Sequence, residues 1–413
     1  MAMFKEVYGT SLNDVVPASS VLYDLIKFDD SSLLGDSYRQ SVTLSNEHGF
    51  SYCGSAAAAT TLEAAIPANI IEANHSGFEM VGRVRITYAA ASRGNSSKQA
   101  FARTWGTALK NLRAASMKRL ELSLLMGQDG IAQAAAATAL STETLTLADP
   151  AGLSVSILAG LEGAKLEAWT SRAASSTEHG LATGSTVASV SLANGTITSG
   201  TGEFSGGTTV DEDDFLYFYG ARTSSAYNEM VGLRKIVANS GTLFGINSAT
   251  YNLWAGNTST TFGQPSMGKF LDAVTKMVEK GLDEKVVLLV CPKTWEVLNS
   301  DLAAQRRFDG TYSKSRAPNG AQAITYFGQT GEIEVRVHPF LFRGEAMLFP
   351  LSPLKRVGSA DIGMGVPGGP DGGRDVFFHD PSINAIEARS FTDQALFCEA
   401  PSKCLLVSGI TYA

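Results

Sequence analysis

Phe78-Glu79-Met80-Val81-Gly82-Arg83-Val84-Arg85-Ile86-Thr87-Tyr88 alternates strictly: Phe78, Met80, Val84, Ile86 and Tyr88 share one parity, and Arg83, Arg85 and Thr87 the other. That period of two marks a strand with one apolar and one cationic face. An earlier stretch, Val42, Leu44, Asn46, His48, Phe50 and Tyr52, alternates in the same way. The Ala/Gly-rich residues 53–77 lie between them, so the two strands are expected to form an extended flap that cannot bury itself. Downstream, Asn95-Ser96 offers an N-cap, and residues 97–126 run without proline. A helix of that length spans about 45 Å. Phe101, Trp105, Ala108, Leu109 and Leu112 fall on one side of it, with Arg103, Lys110 and Lys118 opposite. Toward Leu120–Met126 it is apolar nearly all round, which sends its far end into a core.

Working outward, residues 1–40 hold short apolar clusters (Val21-Leu22-Tyr23, Leu25-Ile26) broken by Asp and Ser, an arm with a helical turn or two. From 140 to 222 come short β-like runs, Thr144–Leu147, Lys165–Trp169, Val187–Leu192, Thr196–Thr198 and Phe215–Tyr219. Asn194-Gly195 predicts a type I′ hairpin turn with positive φ at both residues. This segment reads as a small inserted β domain. Ser266 caps a helix with Met267, Phe270, Leu271, Val274 and Val278 at helical spacing, ended by Gly281. Val286–Cys291 suits a buried strand, and after Pro292 a second helix carries Trp295, Leu298 and Leu302. Ile333–Val337 and Ala346–Phe349 are β runs, as are stretches near Ile383–Phe391, Ala395–Cys398 and Leu405–Ile410. The class is α+β.

The 413 residues carry 33 Lys+Arg against 40 Asp+Glu, a formal charge of −7, with 44% hydrophobic and only 18% charged residues. The mild acidity argues against a sequence-specific DNA binder, and the low charge suits a surface covered by partners. No run of 18 apolar residues suggests a membrane span. Met1–Val16 lacks the features of a secretory signal, so residence in a cytosol is expected.

Five features of the sequence could carry catalytic or metal chemistry. The histidines His48, His75, His179, His338 and His379 are dispersed, without zinc spacing, and are expected at the surface or strand edges. Cys53, Cys291, Cys398 and Cys404 lack CxxC spacing and read as buried free thiols. Gly49-Phe50-Ser51-Tyr52-Cys53 fails as a nucleophile elbow at its last position. The Gly363–Gly373 loop has neither a convincing strand before it nor a helix after it, as phosphate binding would need. Asp211-Glu212-Asp213-Asp214 lacks EF-hand spacing and reads as a solvated turn rather than a Ca²⁺ site. Residues 97–126 hold six basic side chains, Lys98, Arg103, Lys110, Arg113, Lys118 and Arg119, against Glu121, a local net charge of +5. A solvated face or an intersubunit salt-bridge row is favoured there over contact with a packaged polyanion. No catalytic, cofactor-binding or metal residue is assigned.

The order of arm, flap, long helix, sheet with insertion, helix–strand–helix module and terminal strands resembles the major capsid protein of tailed bacteriophages, the Hong Kong 97-type fold. So do several strings: Asn228-Glu229-Met230-Val231-Gly232-Leu233, Gly241-Thr242-Leu243-Phe244-Gly245-Ile246, Tyr251-Asn252-Leu253-Trp254, Lys280-Gly281-Leu282-Asp283, Cys291-Pro292-Lys293-Thr294-Trp295, the stretch 301–309 and Phe397-Cys398-Glu399-Ala400-Pro401. The likeness is most specific after residue 228 and weakest in 1–40 and 140–222. It implies an N-terminal arm (1–40), an extended loop (41–95), a spine helix entering a peripheral domain (96–139), an inserted β domain (140–222), a return to the peripheral domain (223–261), an axial domain (262–382) and C-terminal strands (383–413).

The resemblance implies a structural coat protein without enzymatic activity, metal or cofactor. It would assemble as pentamers and hexamers into an icosahedral shell around double-stranded DNA, held by non-specific contact, in the cytoplasm of a bacterial host. A portal and a separate scaffolding protein are implied partners, the latter because only about 40 residues precede the first flap strand; no membrane is. Cross-linking members of the family use a flap lysine, whereas residues 41–92 contain none, so a shell without covalent cross-links is expected. The competing readings are an encapsulin-like nanocompartment and a hydrolase built from scattered Ser, His and Asp residues.

Overall fold

The computed structural model describes residues 20–29, 33–34, 37–54, 59, 61–89, 98–135, 144–148, 154–179, 184–200, 210–300, 324–329, 331–365, 377–379 and 382–412. The alternating segment forms the strand Phe78–Thr87, every even residue partly buried and every odd one exposed. It pairs antiparallel with the long strand Ala385–Cys398, from Phe78↔Gln394 to Thr87↔Ala385. Leu354–Met364 and Phe377–His379 also pair with that strand, and Phe28–Asp29 joins Leu354–Met364 in parallel. The helix Lys98–Met126 packs on this sheet where small residues let it approach. Ser116 and Ser390 share a hydrogen bond of 2.7 Å. A Cβ on Gly82 would stand 2.5 Å from Ser390 Oγ.

The expected pairing of the two alternating segments does not form. Ser37–Ser45 pairs instead with Asn69–Ser76, from Ser37↔Ser76 to Ser45↔Asn69. The flap root therefore lies at 37–76 rather than 41–95. Asn69–Ser76 has only a faint hydrophobic pattern in sequence, because only Ala73 is buried along it while Ile70 is 63% exposed. Beyond residue 45 the flap continues through a single bridge, His48↔Ile66. In the arm, Val21–Leu25 is one helical turn; residues 1–19 lie outside the described set.

A second sheet runs in the order Ala132–Gln133, Phe215–Phe218, Lys165–Trp169, Ser185–Ser191, Thr196–Ser199, Thr144–Thr146, with Glu178–His179 beside Lys165–Trp169. The Asn194-Gly195 turn differs from expectation. Ser191↔Thr196 closes a four-residue loop in which Gly195 (φ 61°) has positive φ and Asn194 does not, so it is not type I′. The third sheet runs Asn257–Ser259, Leu405–Val407, Ala346–Pro350, Val286–Val290, Gly331–Val337, Ile324–Gly328. Its central strand Val286–Val290 is buried throughout, parallel to one neighbour and antiparallel to the other. Met267–Val278 covers it with Phe270, Val274 and Met277, and Pro292–Ser300 adds Leu298. Ser266 precedes the first of these helices without a side-chain cap bond. Residues 301–309 and Leu302 fall outside the described set. The two runs near 383–398 are one strand, and Leu354–Met364 is a strand directly before the glycine-rich loop, of which 366–376 is not described.

The far end of the long helix enters the core, with Leu120, Leu122, Leu124, Leu125 and Met126 all buried. Gly127 and Gly232 meet backbone to backbone there: Gly232 N donates to Gly127 O at 2.9 Å, and a Cβ on Gly232 would lie 2.3 Å from Gly127 N. Arg234 sits beside this crossing, its Nη1 donating to Asp129 at 2.7 Å and its Nη2 and Nε to Glu345 at 2.6 and 2.8 Å. Burial works against its charge, but the carboxylates of Glu345 and Asp129 outweigh that and hold its pKa above the ordinary value. Removing the cation leaves two buried carboxylates without their partner. Arg234→Met is expected to lower unfolding stability by about 3–5 kcal/mol, whereas breaking the half-exposed Arg336–Glu334 pair with Arg336→Met should change it by less than about 1 kcal/mol. Urea unfolding of the purified protein measures both, and equal effects would refute the assignment.

Candidate assembly surface

Between Arg39 and Arg83 the chain contains no Lys or Arg but four acids, Glu47, Glu63, Glu72 and Glu79. The same stretch presents Phe50, Tyr52, Leu62, Ile66 and Ile70, exposed at 72, 95, 75, 56 and 63%. Large apolar groups gathered on one extended element mark an interaction surface. Ser51 Oγ accepts from Glu63 N at 2.7 Å, so the serine of the Gly49–Cys53 string links the two sides of the flap tip. Cys53 is exposed, contrary to expectation, because the tip has no core to receive it; Cys291, Cys398 and Cys404 are buried and free. The neighbouring Cys398 thiol and burial push the Cys404 thiol well up, which keeps it neutral.

The flap root is held by an aromatic cluster. The His75 ring lies 4.7 Å from Phe244 and 5.8 Å from Phe78, Phe244 lies 4.9 Å from Phe397, and Tyr38 lies 4.8 Å from Phe397. Asn74 N donates to Phe244 O at 3.0 Å, and Asn69 Nδ2 to Tyr251 Oη at 2.9 Å. Phe244 sits at φ 52°, a left-handed conformation that is unusual for a bulky residue. The strings 241–246 and 251–254 thus build the socket for the flap root.

Two histidines expected near the surface are buried and paired. His338 Nε2 lies 2.8 Å from Glu121 Oε1, both side chains 0% exposed. Glu121 also accepts from the backbone of Leu22 at 2.7 Å and Tyr23 at 3.0 Å, tying arm, long helix and third sheet together. His179 Nδ1 lies 2.7 Å from Asp214 Oδ2, which also accepts from Asp211 N at 2.7 Å. Asp214 is therefore a buried structural acid, while Asp211, Glu212 and Asp213 are exposed as expected of a turn. His48 lies at the flap bridge, and His379 ends the strand Phe377–His379. Among the described residues no group of three or more His, Cys, Asp or Glu is placed to hold a metal ion, and no helix is long and apolar enough to cross a membrane.

The basic face of the long helix is partly spent within the subunit. Lys118 Nζ donates to Ala159 O at 2.7 Å, and the Arg119 guanidinium lies 3.1 Å from the centre of the Phe218 ring. Burial pushes Arg119 down to about 10, still protonated at neutral pH. Lys110 and Arg113 remain exposed; the side chains of Lys98 and Arg103 are outside the described set. A cleft of about 800 Å³ opens between Ser154–Ser156, Cys291–Lys293 and Pro339–Arg343. Its thiol, Cys291, is engaged with Thr294 and Tyr412, each at 3.2 Å.

No protein-family model and no curated protein matches the chain. Solved structures do. The capsid asymmetric unit of cyanophage A-1(L) is similar at a TM-score of 0.57 and 11% identity, over 99% of this chain and 98% of that one. The capsid of a native GTA particle is similar at 0.50 and 8% identity, over 99% and 96%, and the capsid of the empty GTA particle gives the same values. The chain has the Hong Kong 97-type capsid fold over nearly its whole length.

Burial pushes the His75 imidazole down to about 4, and its Nε2 has no hydrogen-bond partner. The unfolded imidazole protonates near the ordinary 6.5, so between these values the unfolded state binds more protons. His75 packing is thus fully effective above about pH 6.5 and is weakened as the pH falls toward 4. Relative to the intrinsic exchange rate at each pH, amide exchange in 69–76 should accelerate by more than about tenfold between pH 7.5 and 5. His75→Phe should abolish most of that acceleration; an unchanged pH response in this variant would show that another group is responsible.

Proposed function

We propose that the chain is the major capsid protein of a tailed bacteriophage, assembling as pentamers and hexamers into an icosahedral shell that encloses double-stranded DNA. The observation that carries the reading is the flap: a thin hairpin whose five large apolar side chains are each more than half exposed among the described residues. Isolated strand pairs are marginal in water, so a neighbouring copy must supply the missing burial. The capsid fold supports the same reading. Among the described residues, the buried ionisable groups Glu121, Arg234 and Asp214 each serve to join elements of the fold. A separate scaffolding protein and a portal complete the proposed assembly in the host cytoplasm. DNA is held by non-specific contact, for which Lys110 and Arg113 remain accessible.

Replacing residues 50–64 by a short glycine linker keeps the His48–Ile66 bridge and removes the exposed tip. The variant should remain soluble as subunits or small rings, checked by negative-stain microscopy of the protein expressed with its scaffolding partner. Shells of normal size from this variant would overturn the flap's role. Purified wild-type particles should contain DNA, and protein cargo in its place would favour the nanocompartment. Because residues 41–92 contain no lysine, particles boiled in SDS should run as one band near 43.6 kDa. A ladder that survives boiling and reductant would refute the non-covalent shell.

A further inference from the structure

The solvent face of the paired strands 78–87 and 385–394 carries a charge pattern that the described residues neutralise only in part. Directly opposite residues form successive rungs: Glu79 with Asp393, Val81 with Phe391, Arg83 with Arg389, Arg85 with Glu387. The first rung is doubly acidic and the third doubly basic, and like charges placed directly across a strand pair repel. Glu387 is the one carboxylate shared by Arg85 at 3.0 Å and Arg389 at 2.6 Å. Arg83 also lies within the field of Glu387, so one carboxylate faces three guanidinium groups. Among the described residues no salt bridge reaches Arg83, Glu79 or Asp393, although Asp393 accepts a hydrogen bond from Ser359 Oγ. Between the two like-charged rungs, Val81 is 50% exposed.

We propose that this face is a two-fold contact with a second copy of the chain. A half-turn about a line along the Val81–Phe391 rung lays the face on itself. Val81 then meets the partner's Val81, Glu79 meets the partner's Arg83, and Asp393 meets the partner's Arg389. Each like-charged rung receives its opposite, and the exposed apolar rung is covered at the axis. Such self-complementarity is the requirement of an isologous interface. A head-to-tail neighbour or a nucleic acid would satisfy the arginine rung but be repelled by the acidic one about 14 Å away. The patch is too small to hold a free dimer, since stable interfaces bury about 1,000 Å² or more. It therefore serves copies already held in one shell, and in this it rests on the capsid reading.

Val81→Cys in a Cys53→Ser background places a single exposed thiol on the proposed axis. Assembled particles treated with a short bis-maleimide should yield a dimer as the main linked species on reducing gels. Arg83→Glu in that background should cut the linked yield about tenfold by setting acid against acid. Adding Glu79→Arg should restore it, because in a two-fold contact the exchanged charges meet each other. No restoration means that Arg83 faces something other than the partner's Glu79 and overturns the proposal. Shells that form without a Val81 link overturn it while leaving the capsid reading intact. A linked dimer from protein that never forms shells would overturn both the capsid reading and the proposal that this contact joins copies already held in one shell.

Discussion

A carboxylate without access to water holds the molecule together. Glu121 lies in the last turns of the long helix and accepts hydrogen bonds from the backbone of the arm at Leu22 and Tyr23 and from the His338 ring. His338 Nδ1 in turn accepts from Phe340 N at 3.1 Å, which leaves the ring proton on Nε2, facing Glu121. A buried charge is tolerable only when its bonding capacity is filled, so the three elements must meet at one place and in one orientation. Arg234 repeats the device nearby, clamped between Asp129 at the helix exit and Glu345 before the strand Ala346–Pro350. Together the two clusters fix the helix against the arm and the third sheet.

Arg356 extends the same logic to the arm. Its Nε donates to Ile26 O at 2.8 Å and its Nη1 to Asp361 and Gln394 at 3.0 and 2.9 Å, while Tyr23 Oη donates to Asp361 at 3.0 Å. The arm helix has only five residues and could not persist alone. It is held because a carboxylate caps its start and an arginine receives its end. The flap differs. Its root is fastened by aromatic packing, and its tip is left without any such partner. Rigid junctions behind an unsupported tip are what a subunit needs if it is to lay that tip on a neighbour without deforming.

The strand Phe78–Thr87 was plain because alternation over ten residues survives in burial, residue by residue. Its partner was not, because hydrogen-bond partners 300 residues apart leave no mark in local periodicity. Asn69–Ser76 was missed for a different reason: a strand whose apolar residues await another surface lacks the pattern that burial within the subunit imposes. The buried pairs of His338 and His179 were also hidden. A polar residue in the core looks like any other until its partner is seen, and the one signal for Glu121 was a lone acid in an otherwise apolar helix end.

What the sequence by itself determined is therefore the set of elements with strong local period and the class they belong to. The long helix, the buried strand Val286–Val290, the Met267–Val278 helix and the strands of the 140–222 segment follow from spacing and turn chemistry. It also determined that residues 40–82 carry neither lysine nor arginine and hence what chemistry that stretch lacks. Only the tertiary structure decided which strands pair, which charges are buried and which apolar groups stay uncovered. Those depend on contacts between residues far apart in the chain, and chain-closure entropy, packing and desolvation choose among them in ways no local window records.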